Sequence, residues 1–114
     1  MKLREILKYT DSRIVTRNSQ NECEIEKGFS SDLMSDVLTL DADNILLITG
    51  LANVQLVRTA EMADISAVLL ARGKQASPEM IELANETGLV IMETPFSLYK
   101  ASGILYSKGL RAIY

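Results

Sequence analysis

The hydrophobic and polar positions of residues 44–73 follow the order strand, helix, strand. An apolar run at Ile45–Ile48 is followed by helical spacing over residues 53–63, and a second apolar run comes at Ala67–Leu70. An intervening helix lets two successive strands lie parallel. The pattern therefore predicts a βαβ unit at the centre of the chain.

Four shorter segments precede this unit. Residues 2–9 have the spacing of a short amphipathic helix, and Ile14-Val15 fits a short strand before a polar turn that ends near residue 21. Apolar and acidic residues alternate over Cys23–Phe29, which predicts an edge strand guarded by charge and makes Cys23 an inert strand residue. A helix is predicted from Ser31 onward.

The predicted helix after Ser31 depends on a cap and on charge. Ser31 is placed to cap its first turn, and Asp32 lies near its positive end. The residues that would form its apolar face are Leu33, Met34, Val37 and Leu38.

Strand and helix continue to alternate after the central unit. A helix is predicted between Ser77-Pro78 and Gly88, a buried strand at Val90–Met92, and a last helix from Ser97 to Gly109, followed by an apolar tail at residues 110–114. This order predicts an α/β fold, with a parallel or mostly parallel sheet between two layers of helices.

Composition narrows the class of protein. A chain of 114 residues is expected to form a single domain, and a net charge of −3 argues against a nucleic-acid surface. The apolar runs are far shorter than the ~20 residues of a membrane helix, and charges near the N-terminus interrupt any signal-peptide core. We therefore expect a cytoplasmic protein.

The sequence offers no residues for common catalytic or metal chemistry. It has one cysteine and no histidine, so zinc and haem ligand sets and histidine-activated nucleophiles are missing. No constellation specifies a reaction, and we expect neither an enzyme nor a metal or cofactor site.

Polar residues follow the three predicted parallel strands. Ligands of open α/β sheets bind beyond the carboxyl ends of the strands. Asn53 and Ser97 would cap helices whose first amides attract anions, and Arg72 or Arg58 could clamp a phosphate. The candidate ligand-binding residues are Thr49, Gly50, Asn53, Arg72, Gly73, Thr94 and Ser97.

A second interpretation of the same residues is structural. Caps and glycine turns are needed at such junctions whatever the function, so each residue would serve its own turn. The nucleotide motifs that can be checked are absent: Gly73-Lys74 is not part of a phosphate loop, and Gly50 lacks the further glycines of a dinucleotide fingerprint.

The stretch ILLITGLANVQLVRTAEMADISAVLLARGKQASPEMIELANETGLVIMETPFSLYKASGIL resembles the DRTGG domain family, which is similar to the N-terminal domain of bacterial HPr kinase/phosphorylase. The resemblance extends over residues 3–110. It is carried by the Gly50 turn, by Ala71-Arg72-Gly73 after the third strand, and by Pro78 and Thr94-Pro95. The Asp-Arg of the family name is replaced by Leu51-Ala52, and alanine replaces a threonine at Ala71, so roles of those side chains are not carried over.

The resemblance implies a non-catalytic module that regulates or assembles other domains and commonly dimerises. In the family such modules accompany nucleotide-sensing CBS domains, a phosphotransacetylase or a kinase. We therefore expect a regulatory or scaffold module that self-associates, docks on a partner protein and is tuned by a small anionic ligand. The alternative is an adenine-nucleotide or phosphate sensor, and an enzyme is the third interpretation.

A homodimer contact is predicted at the C-terminal end, where more apolar surface lies than one helix face buries. Aromatic residues beside a small residue are typical of interfaces. The residues concerned are Tyr99, Gly103, Tyr106, Leu110, Ile113 and Tyr114. The alternative is that the tail folds back onto its own core.

Overall fold

The computed structural model describes residues 1–17 and 23–114. The polar turn predicted before residue 21 lies mostly outside these described residues. In chain order the elements are α1 Leu3–Thr10, β1 Arg13–Ile14, β2 Lys27–Ser30, α2 Met34–Val37, β3 Ile45–Thr49, α3 Val54–Met62, β4 Ala67–Leu70, α4 Pro78–Thr87, β5 Val90–Glu93, α5 Leu98–Ser107 and β6 Arg111–Ala112.

Across the described ranges the strands form one sheet in the order β1-β5-β4-β3-β2-β6. Strands β2 to β6 run parallel to their neighbours, and β1 pairs antiparallel with β5 at one edge. The prediction of a mostly parallel α/β sheet is confirmed. The parallel direction places the carboxyl ends of β2, β3, β4 and β5 at the same edge of the sheet.

Helices cover both faces of the sheet, as predicted. Alternate residues of the fully buried strand β3 point to opposite sides, so that Leu47 packs with α3 and α4 while Leu46 packs with α1 and α5. Near-continuous apolar runs are what burial on both faces requires. All residues of β3, β4 and β5 are buried.

The predicted helix boundaries near the sheet are confirmed by their caps. Asn53 accepts a hydrogen bond from the Leu56 amide at 2.9 Å, and Ser97 accepts one from the Lys100 amide at 3.1 Å. Ser77 caps α4 in the same way. These caps satisfy helix amides that would otherwise have no partner.

The predicted edge strand over Cys23–Phe29 is wrong in extent and position. β2 covers only the last part of that segment and lies between β3 and β6, so it is not an edge. The half-buried Cys23 precedes the strand. Burial still alternates, with Ile25 buried between exposed Glu24 and Glu26, because this extended segment forms an antiparallel bridge with the N-terminus, between Glu24 and Lys2, before β2 begins. The sequence pattern predicted the alternating burial of this segment, but it did not predict which strands the segment pairs with.

The helix predicted from Ser31 is reduced to the single turn α2. Leu33 and Leu38, expected on its buried face, are 57% and 50% exposed. No side chain caps its first residue. Asp32 does not serve the helix end, because its carboxylate accepts hydrogen bonds from Thr49 and Gly50 at the end of β3.

Candidate functional site

The seven predicted site residues follow the carboxyl ends of neighbouring parallel strands. Thr49 ends β3, Arg72 and Gly73 follow β4, and Thr94 follows β5. Hydrogen bonds join these segments: the Gly73 amide donates to the Thr94 carbonyl at 2.9 Å, and the Ala71 amide donates to the Thr49 carbonyl at 2.9 Å. The strand ends therefore form one connected edge.

The two predicted capping residues stand at the borders of this edge. Ser97 directly follows Phe96, whose carbonyl accepts the Arg72 amide at 2.6 Å, so it lies beside the β4 loop. Asn53 caps α3 four residues after Thr49. No hydrogen bond of the described residues joins the Asn53 side chain to the β4 or β5 loops.

Asp32 is a member of this edge that sequence reasoning assigned to a different role. One of its carboxylate oxygens accepts two hydrogen bonds at 2.8 Å, from the Thr49 hydroxyl and from the Gly50 amide. These bonds and the nearby Arg72 guanidinium hold the pKa of Asp32 below its usual value, with the Gly50 amide contributing most and partial burial opposing the shift. A charged carboxylate thus already lies where an anion was expected.

Thr94 serves the fold. Its hydroxyl donates to the Thr10 carbonyl at 2.6 Å and accepts a hydrogen bond from the Phe96 amide at 3.1 Å. The side chain is buried, and its hydroxyl uses both its donor and an acceptor position on backbone groups of the same domain. For Thr94, as for the caps Asn53 and Ser97, the structural interpretation accounts for the contacts.

Arg72 combines an exposed cation with an unusual backbone. Its φ is +61°, followed by +71° at Gly73, so two successive residues are left-handed. A non-glycine residue at such a φ carries strain of about 1–2 kcal/mol. Gly50, expected as a turn glycine, does not have a positive φ, and an added Cβ there would meet only Asp32 oxygens at 3.6 and 3.8 Å.

A polar pocket of ≈ 350 Å³ adjoins the edge beside β5. Its cations are Arg13 and Lys74, and its acids are Asp11 and Glu93. Glu93 is only 9% exposed and was missed as a site residue, although an acid directly after three buried apolar residues is the pattern that could have revealed it. The formal charges of these two cations and two acids cancel.

A second concave surface lies between α5 and the strands β2 and β6. Its volume is ≈ 480 Å³ and its lining is mostly apolar. We call it the tyrosine groove; Tyr99, Gly103, Tyr106, Leu110, Ile113 and Tyr114 line it together with Phe29 and others. All six residues predicted for the dimer contact therefore lie on one surface.

The apolar tail does fold back onto its own sheet, as the alternative interpretation held. β6 pairs with β2, and Leu110 is buried. Three side chains nevertheless stay largely exposed: Tyr99 at 89%, Tyr106 at 71% and Tyr114 at 88%. The ring of Tyr114 meets Phe29 edge to face at 6.4 Å between centroids, which orders the wall of the groove.

The described residues, 1–17 and 23–114, contain neither a cluster of metal ligands nor a membrane-spanning helix. No group of three or more histidine, cysteine, aspartate or glutamate side chains there is placed to hold a metal ion. No helix in the same ranges is long and apolar enough to cross a membrane.

The fold is similar to that of a solved structure described as the CBS and DRTGG domains of the regulatory region of Clostridium perfringens pyrophosphatase, complexed with activator, diadenosine tetraphosphate. The TM-score is 0.78 at 18% identity, over 91% of this chain and 45% of that chain, so this chain spans less than half of its neighbour. The likeness supports a DRTGG-like α/β fold. No protein-family profile and no curated protein matches the sequence.

Proposed function

We propose that this chain is a single-domain, non-catalytic regulatory or scaffold module of the cytoplasm, related to DRTGG domains and to the N-terminal domain of HPr kinase. It self-associates through the tyrosine groove and docks on a further protein as a dimer. The observation that carries the proposal is the exposure of three tyrosines on one apolar surface. Large exposed apolar patches commonly mark sites of interaction with another protein.

The exposed area is adequate for a partner of the same kind. An aromatic side chain buries roughly 150–250 Å² at a contact, so Tyr99, Tyr106 and Tyr114 together offer at most roughly 450–750 Å², more than half of the ~800 Å² per partner of a standard interface. The other lining residues of both α5 and β6 supply more. A second copy of the chain is therefore the occupant we propose for the groove.

Gly103 favours close approach of that copy. It lies on α5 between Tyr99 and Tyr106, and an added Cβ there would meet nothing within 4 Å. The backbone of α5 is thus open to an aromatic ring of the partner, and tyrosine is enriched at protein interfaces.

Sedimentation velocity at micromolar concentration tests the proposal. We expect about twice the chain mass for the wild type and the monomer mass for Tyr106→Glu, because a charge in the centre of a desolvated contact lacks a partner. Met62→Glu is the matched control, since Met62 is 65% exposed and lies on α3, on the opposite face of the sheet.

Three outcomes are decisive. A dimer that only Tyr106→Glu dissociates supports the proposed contact. A monomeric wild type excludes self-association, and a dimer that Met62→Glu splits instead moves the contact to the other face.

The alternative function is an adenine-nucleotide or phosphate sensor. Two observations favour it: the exposed Arg72 at the strand-end edge, and the nucleotide activator bound by the structurally similar regulatory region. A ligand that binds only the folded state raises its melting temperature. Thermal-shift screening with adenine nucleotides and inorganic phosphate therefore tests this function.

Arg72→Gly makes that screen specific to the edge, because it removes the cation at a φ that glycine adopts without strain. Arg17→Ala is the control, an exposed arginine whose amide bonds to Asn85 away from the strand-end edge. A shift that Arg72→Gly alone abolishes supports the sensor. Absence of any shift in the wild type and in both variants contradicts it.

A further inference from the structure

The carboxylate of Asp32 has the surroundings of a bound anion. One oxygen accepts both the Thr49 hydroxyl and the Gly50 amide at 2.8 Å, directly beyond the carboxyl end of β3. Ligands of open α/β sheets bind at this level of the sheet, and they are commonly anions. The chain therefore places its own acidic side chain in a position suited to a ligand oxygen.

The segment that carries Asp32 is attached to the core on both sides of this residue: the Ser31 amide donates to the Ile48 carbonyl at 3.1 Å, and Met34, Val37 and Leu40 pack on the core. It runs from the end of β2 through the single turn α2, and its large side chains Leu33 and Leu38 are about half exposed. Val37 is the buried anchor of α2. Between these attachments, the two hydrogen bonds of Asp32 hold residues 32 and 33, where the side chain of Leu33 is exposed.

We propose that Asp32 is an autoinhibitory contact: it occupies the strand-end donors Thr49 and Gly50, and a phosphate-bearing ligand must displace it to bind there. This inference rests on the sensor function proposed above and specifies how that site is regulated. Displacement frees the first part of the α2 segment, so that ligand binding is converted into a change of the protein surface.

The donors explain why a phosphate group can replace the carboxylate. A phosphate oxygen accepts the same hydroxyl and amide hydrogens, and its larger charge gains more from Arg72, which lies close enough to act on Asp32. Asp32, being tethered, competes at high effective concentration. The apparent affinity of the ligand equals its intrinsic affinity multiplied by the fraction of molecules in which Asp32 is released.

The experiment compares phosphate binding by three variants. Inorganic phosphate and ADP are titrated separately into wild type, Asp32→Ala, Asp32→Asn and Asp36→Ala, with the backbone amide resonance of Gly50 as the local readout. Asp32→Ala removes the competing carboxylate. Asp32→Asn removes its charge but keeps an acceptor oxygen for Thr49 and Gly50, so this variant should fold even if Asp32→Ala does not. Asp36→Ala, in the first turn of α2, removes the same charge from the same segment.

We expect Asp32→Ala to bind at least roughly tenfold more tightly than wild type, Asp32→Asn to lie between them, and Asp36→Ala to match wild type. If Asp32→Ala does not fold, tighter binding by Asp32→Asn alone supports the inference. A response to phosphate and ADP alike assigns the site to the phosphate group, and a response to ADP alone assigns it to the nucleotide.

Two further results overturn the inference in distinguishable ways. Binding at Gly50 that is unchanged in both Asp32 variants leaves the sensor function standing and removes Asp32 as its competitor. Absence of binding in every variant removes both the sensor function and the autoinhibitory contact.

Discussion

The carboxylate of Glu93 lies 3.3 Å from the guanidinium of Arg13, across the antiparallel junction of β1 and β5. Its other oxygen accepts the Ala76 amide at 2.8 Å, in the loop before α4. Glu93 is 9% exposed, whereas the Arg13 side chain is 72% exposed. One buried acid therefore joins an edge strand and a loop to the end of β5.

This asymmetry predicts unequal effects of removing either partner. Glu93→Ala leaves the Ala76 amide without an acceptor and should lower the free energy of unfolding by about 1–3 kcal/mol. Arg13→Ala removes a largely exposed partner and should cost less than about 1 kcal/mol. Urea unfolding of both variants measures the difference, with Glu93→Gln as the control that keeps an acceptor for the amide.

Equal losses for the Arg13 and Glu93 variants would contradict this account. They would indicate that the ion pair, and not the bond to the loop, is what Glu93 contributes.

The central part of the fold could be predicted because its information is local. The bounds of β4 match the predicted run, and Asn53, Ser77 and Ser97 cap the predicted helices. Two-sided burial requires continuous apolar runs, and helix ends require side-chain acceptors, so both leave a pattern within a few residues. The strand-end edge followed from the parallel order alone.

The rest depends on contacts between distant parts of the chain. β6 has only two residues, both exposed, so it carries no periodic pattern; pairing with β2, far earlier in the sequence, is what makes it a strand. Asp32 was assigned to its own helix because its contacts with Thr49 and Gly50 cross to another strand. Local spacing does not encode such a partner.

The lowered pKa of Asp32 leads to a prediction of how the free energy of unfolding depends on pH. Its pKa is lower in the folded state, chiefly because of the Gly50 amide, than the ordinary aspartate value of about 3.9. The unfolded chain therefore binds the proton first as the pH falls, so the stabilisation is complete above the ordinary value and is lost as the pH drops through the folded value.

The measurement is the free energy of unfolding of wild type and Asp32→Asn between pH 6 and pH 2. We expect the stability difference between the two proteins to shrink below about pH 4, where the wild type loses the charged carboxylate. Asp36→Asn is the control for loss of one acid in the same segment. A difference that is constant across this range would show that the hydrogen bonds of Asp32 do not depend on its charge.

Two glycines flanking the tyrosine groove have opposite surroundings. A Cβ added at Gly28 in β2 would lie 2.9 Å from Cδ2 of Leu110 and 3.5 Å from its Cγ. A Cβ added at Gly103, within α5, would meet nothing within 4 Å. Replacement of each glycine by alanine therefore separates overpacking from the ordinary gain in helix propensity.

Gly28→Ala should destabilise the chain by about 1 kcal/mol, because the close contact is with the terminal methyl of Leu110, a 5% exposed side chain that can shift only toward the groove it lines. Since Leu110 leads directly into β6, its displacement should also loosen the tail, weaken the groove wall that carries Tyr114, and reduce the dimer fraction in sedimentation. Gly103→Ala should instead raise the stability of the monomer by about 0.5–1 kcal/mol, because alanine has the better helix propensity. Urea unfolding at a concentration where the chain is monomeric checks both values, and a Gly28→Ala variant as stable as wild type would show that β6 is not held through Leu110.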